Sequence, residues 1–152
     1  MAAYLRSHRV PDVGGATNDV FLRVFTGLTG FHGDEAAFRS WLFTIAHHHM
    51  VDEVRRAARQ PRMAEGTPVE DQGPGGDAEE DALVGMGRER VDRLLSRLST
   101  DQRAVVLLRV VEDLSIEQVA ETLGKRPTAV KALQHRALAA LRRHLVDEEV
   151  SP

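Results

Sequence analysis

Ser115-Ile116-Glu117-Gln118-Val119-Ala120-Glu121-Thr122-Leu123-Gly124-Lys125-Arg126-Pro127 is the stretch on which the fold turns. Its first four residues form a capping-box pattern, in which the serine hydroxyl and the glutamine side chain satisfy orphan backbone donors of a helix start. Ile116, Val119, Ala120 and Leu123 then recur at helical spacing, one apolar stripe of a short helix. Gly124 stands where a left-handed residue ends such a helix, and Pro127 where its ring suits the first position of the next. Val130, Leu133, Ala137, Leu141 and Leu145 give that second, longer helix its stripe. Between Gly124 and His144 lie Lys125, Arg126, Lys131, Arg136, Arg142 and Arg143, with no Asp or Glu among them. The spacing predicts a helix-turn-helix whose basic side can lie against phosphates while its face reads base edges in a major groove.

The net charge of −3 conceals this basic helix. Residues 1–62 carry a balance of +2, residues 63–87 of −7 and residues 88–152 of +2. The acidity is confined to one segment, which also holds Asp71-Gln72-Gly73-Pro74-Gly75-Gly76 and has little apolar content before Leu83. It reads as a flexible acidic linker, 63–87, between helical units at 1–62 and 88–147. With no cysteine in 152 residues, disulfides and thiolate chemistry are excluded. No apolar run approaches the roughly 20 residues that span a bilayer, and no signal peptide is evident, so a cytoplasmic protein without membrane insertion is expected.

The first unit contains two clear helical patterns. Asn18–Leu28 places Val20, Phe21, Val24, Phe25 and Leu28 on one side. Asp34 can cap a long helix running to about Arg59, before Pro61. On that helix Phe38, Trp41, Leu42, Ile45 and Ala46 share one face, and Ser40, Thr44, His47, His48, Arg55 and Arg59 share another. In the second unit Val91, Leu94, Leu95 and Leu98 form a stripe, and Ser99-Thr100-Asp101-Gln102 opens a further helix to about Glu112 with Val105, Leu108 and Val111 inward. The fold class is all-α. His47-His48-His49 does not make a metal site, because successive helical side chains point about 100° apart. Nothing resembles a phosphate loop or nucleophile elbow, so neither cofactor nor catalysis is expected.

Taken with the order of the two units, Val20-Phe21-Leu22-Arg23-Val24-Phe25, Phe31-His32-Gly33-Asp34 with Phe38 to Ala46, and Leu95-Ser96-Arg97-Leu98 through Arg142 resemble a bacterial RNA polymerase sigma factor of the extracytoplasmic-function type. The resemblance covers nearly the whole chain and implies a transcription initiation factor acting at the nucleoid. Its partners would be core RNA polymerase, duplex −35 and single-stranded −10 promoter DNA, and an anti-sigma factor. Carried over residue by residue, it assigns polymerase binding to Asp19, Phe21, Leu22 and Phe25. It assigns −10 contacts to Phe31, His48, Arg55, Arg56 and Arg59, and −35 contacts to Arg126, Thr128, Lys131, Gln134, His135 and Arg136. Read from the residues alone, a core role for Phe31 and for Trp41 remains open beside these. Two other functions also fit the sequence: a helix-turn-helix regulator acting without polymerase, and an inactive sigma-like interaction protein. The first unit starts about one helix short of the family pattern, with only Ala2, Ala3, Tyr4, Leu5 and Val10 to cover it, so exposed apolar surface is expected there.

Overall fold

Gly124 takes φ 64°, and on either side of it the expected pair of helices forms: α6 (Ile116–Leu123) and α7 (Pro127–Val150). The computed structural model describes residues 1–59 and 78–150, with the side chains of 78–83 excepted. Its other helices are α1 (Ala2–Ser7), α2 (Val13–Gly27), α3 (Glu35–Arg59), α4 (Ala78–Ser96) and α5 (Thr100–Val106). The described residues contain no strand.

Helix starts follow their capping residues. Asp12 accepts from the Gly15 amide at 2.9 Å, and Asp34 from the Ala37 amide at 2.9 Å. Both capping boxes close: Ser99 with Gln102, and Ser115 with Gln118. Several boundaries and faces differ from the sequence reading, among them the start of α2 at Val13 and not at Asn18. The segment expected as linker, 63–87, is helical from Ala78. Its earlier part, including the Gly-Pro stretch, lies outside the described residues. Residues after Val106 pass into a π-helical turn, Leu107–Val111, whose wider winding shifts the face. Leu107 and Leu108 are therefore buried while Val111, expected inward, is exposed. On α7 the buried line is Val130, Ala137 and Ala140, and Leu145 is largely outside it. Val91 on α4 likewise points to solvent.

The core runs across both halves of the chain. Tyr4, Leu5, Val10, Phe43 and Met50 of the first half join Leu95, Leu98, Val105, Leu108, Leu114, Val119, Val130 and Ala137 of the second in one buried cluster. A smaller cluster seats Val20 and Val24 of α2 on Ala46 of α3, flanked by Phe38, Trp41, Leu42 and Ile45. Helix α3 is thus the centre of the first unit, with α2 on one side and α1 and α6 on another. Gly27 allows the close approach, since a Cβ there would lie 2.9 Å from the Trp41 ring.

Candidate nucleic-acid and polymerase interface

Three surfaces carry the candidate residues. The first is the outer side of α2. Because Ala16, Val20 and Val24 turn inward at a spacing of four, Phe21, Leu22 and Phe25 turn outward. Leu22 is 66% exposed and Phe25 69%, with Phe21 and Leu28 beside them. Four contiguous large apolar side chains in water mark a surface for a partner. Tyr4, Leu5 and Val10, by contrast, are fully used in the core. Asp19 stands at the patch edge, its carboxylate 3.7 Å from the buried His49 imidazole.

The second surface is the start and polar side of α3. Phe31 is half-buried and stacks on Trp41 with ring centroids 4.9 Å apart and planes at 17°. Phe38 meets both rings edge-on, at 5.6 and 5.9 Å. Gly33 lies against Phe31, where a Cβ would approach the ring to 3.1 Å. The result is a half-open aromatic cluster, whose faces can stack an unpaired base. The three histidines diverge. His48 is exposed. His47 is buried, its Nδ1 2.8 Å from the Tyr4 hydroxyl. His49 is buried toward Asp19 and Glu53. Arg55, Arg56 and Arg59 are exposed at the end of α3, with Arg56 paired to Glu53 at 3.0 Å. The polar face expected on this helix is partly covered, since Ser40 and His47 are buried and Thr44 is half-buried under α6.

The third surface is the helix-turn-helix. Thr128, Lys131, His135 and Arg136 are exposed on the first turns of α7, and Arg126 is exposed just before it. Gln134 is half-buried, and its amide oxygen accepts from the Arg109 Nε at 3.2 Å. Along the same helix an open groove of about 570 Å³ is lined by His135, Arg136, Arg142, Arg143, Ala139 and Gln102. Three guanidinium groups and no carboxylate line it, a chemistry that can hold phosphate oxygens.

Two arginines, Arg103 buried and Arg109 half-buried, were not singled out by the sequence reading. Arg103 donates from Nε to Leu95 O at 2.9 Å, from Nη2 to Leu98 O at 3.1 Å, and from Nη1 to Ser7 O at 2.9 Å. It thereby satisfies carbonyls at the ends of α4 and α1. Burial, with Arg9 adding to it, lowers its pKa from the ordinary value. Arg109 donates to Leu114 O at 2.7 Å and holds the turn before α6.

A fold whose described residues are helical, with an exposed apolar row, an aromatic cluster and a basic helix-turn-helix, is that of the DNA-binding transcription proteins. Residues 2–60 match the family described as Sigma-70 region 2, and residues 88–141 match Sigma-70, region 4. The chain is 33% identical over 143 residues to the ECF RNA polymerase sigma factor ShbA of Streptomyces griseus, covering 89% of this chain and 71% of that protein. It is 28% identical to the RNA polymerase sigma factor YlaC of Bacillus subtilis, covering 93% of this chain and 82% of that one. Among solved structures, CnrH in complex with the cytosolic domain of CnrY superposes with a TM-score of 0.66 at 28% identity, over 96% of this chain and 80% of that one. The sigma factor RpoE of Bartonella quintana, solved with the anti-sigma factor NepR, shares the fold with a TM-score of 0.70 at 19% identity, over 99% and 91% of the two chains. The chain belongs to the extracytoplasmic-function sigma factors of the sigma-70 family, RNA polymerase sigma factors that serve promoter recognition.

Proposed function

We propose that this sigma factor works through the three surfaces as separate instruments. The carrying observation is the outward row Phe21, Leu22 and Phe25 on α2, which the protein's own core leaves in water. With Asp19 it forms the grip on core RNA polymerase. Phe31, supported by Trp41 and Phe38, holds an unstacked base of the −10 element; His48 contacts the same strand, and Arg55, Arg56 and Arg59 hold its phosphates. Lys131 and His135 read −35 base edges, with Thr128 and Gln134 beside them. Arg126 and Arg136 steady the duplex backbone. Region 2 acts within residues 1–62 and region 4 within 88–147, joined by the acidic segment between them. The protein is a binding factor rather than an enzyme and works in the cytoplasm at the nucleoid. Among the described residues no helix is long and apolar enough to cross a membrane.

An anti-sigma factor is proposed as the inhibitory partner, because CnrH and RpoE, its structural neighbours, were each solved with a protein bound, in the second case a named anti-sigma factor. Phe31→Ala separates the aromatic role from a packing role. Promoter opening, followed by permanganate reactivity of unpaired thymines, should fall while closed-complex binding persists. Equal loss of both, with a lower thermal midpoint, would return Phe31 to the core.

A further inference from the structure

A cavity of about 290 Å³ opens between the end of α1 and the last turns of α4. Arg6, Ser7, Arg9, Asp92, Arg93 and Ser96 line it, so it holds three guanidinium groups, one carboxylate and two hydroxyls. None of these residues belongs to the polymerase or promoter surfaces above. Beside the cavity, buried Arg103 bonds the carbonyls of Ser7, Leu95 and Leu98. Those helix-end carbonyls are thereby satisfied, and Arg9 and Arg93 are not needed to cap them. The partners of Arg103 are all neutral, and burial together with the nearby Arg9 charge lowers its pKa. Among the described residues neither Arg9 nor Arg93 forms an ion pair. Positive charge therefore gathers here without compensation.

The backbone at Arg9 is equally telling. Its φ is 58°, with its amide on Arg6 O at 3.0 Å and the Val10 amide on Leu5 O at 3.3 Å. This is the left-handed closure of a helix end, where glycine is usual and a residue with a Cβ is strained. An arginine held there puts a guanidinium at the rim of the cavity in place of an unstrained backbone.

We propose that this cavity binds the diphosphate group of a nucleoside diphosphate. Forked guanidinium groups arriving from two elements, Arg9 after α1 and Arg93 on α4, suit the oxygens of two adjacent phosphoryl groups. The Ser96 hydroxyl gives its proton to Arg93 O at 2.7 Å, so it and Asp92 are left as acceptors. Two acceptors beside an anion site favour a ligand that carries donors, as ribose hydroxyls do. The volume corresponds to roughly ten waters at ~30 Å³ each, room for a diphosphate with part of a nucleoside.

Calorimetric titration of the full chain with ADP, GDP, inorganic pyrophosphate and sulfate, at fixed ionic strength and without divalent cations, tests the site. A nucleoside diphosphate should bind saturably and more tightly than pyrophosphate. The thermal midpoint should rise by roughly 5–10 °C at a hundredfold excess over Kd. Arg93→Gln should weaken binding at least about tenfold. Arg9→Gly should weaken it as much while leaving the midpoint of the free chain unchanged or higher, because glycine relieves the left-handed backbone. Arg142→Ala should leave binding intact, which separates this cavity from the basic groove on α7. Binding of pyrophosphate as tight as that of the nucleotides would overturn the nucleoside part and the acceptor role of Asp92. Sulfate binding as well as the nucleotides would mean an adventitious ion only. Absence of saturable binding below about 1 mM, or loss in Arg142→Ala, would overturn the site. Displacement of the nucleotide by a short single-stranded DNA would assign the arginines to a nucleic-acid backbone and overturn it as well.

Discussion

Tyr4 shows how much a single residue carries near the chain start. Its ring is buried against His8 and Phe43, and its hydroxyl spends its hydrogen bond on His47. Burial pushes the Tyr4 hydroxyl pKa up and holds both histidines down, His47 to about 4. Asp101 opposes that for His47, and His8 and His48 add to it. Because the folded histidines resist protonation, the unfolded chain takes up protons first as pH falls. Their contribution is fully present above about pH 6.5 and is lost toward pH 4, up to about 3 kcal/mol for His47. The thermal midpoint should therefore be flat above pH 7 and drop between pH 6.5 and 4.5, with His47→Gln showing a shallower drop; a flat profile to pH 5 would contradict the assignment. Arg103 makes a second test at this scale. Arg103→Met removes three hydrogen bonds, two of them buried, and should cost about 2–4 kcal/mol in urea denaturation, whereas a loss under 1 kcal/mol would mean that water replaces the guanidinium.

The helix-turn-helix was legible in the sequence because its instructions are local. Ser115 with Gln118, the αL Gly124 and Pro127 each fix a backbone group within a few residues, and all three behave as read. The end of α5 was not legible, since no residue from Leu107 to Val111 announces a π turn; packing of Leu107 and Leu108 together decides it, and Val111 is turned out. The burial of Ser40 and His47 was equally hidden, because the chain that covers them is α6 or α1, far away in sequence. Of the candidate sites, α2 was readable as an apolar row, but its expected single stripe is split, with Val20 and Val24 packed on Ala46 and Phe21, Phe25 and Leu28 left in water. On α7 the exposed basic residues divide by position. Lys131→Ala should cost about 1–3 kcal/mol at one base pair of the −35 element, while Arg142→Ala in the groove should weaken all duplexes alike and reduce the salt slope. Competition binding against single-base variants of the site measures both, and an even loss for Lys131→Ala would make it a phosphate contact.

For the molecule as a whole, the sequence divided the chain into two units, and the structure adds that they share a core through α1, α3, α5 and α6. Periodicity marks which side of a helix is apolar but not which distant helix it meets, so the α3–α6 contact had no signature beyond ordinary Thr and Gln. The same limit applies to the outer side of α2, for which an external partner is proposed. The account holds that this one chain couples a polymerase-binding patch to two DNA-reading surfaces, each needed for initiation. Run-off transcription with purified core polymerase on a promoter template tests that coupling most directly. The wild-type chain should produce a discrete transcript. Leu22→Asp, on the exposed α2 row, should abolish it while sparing −35 duplex binding and helix content. Lys131→Ala should reduce it at low DNA concentration while sparing polymerase binding. No promoter-dependent transcript from a folded wild-type chain, or equal activity of Leu22→Asp, would contradict the account.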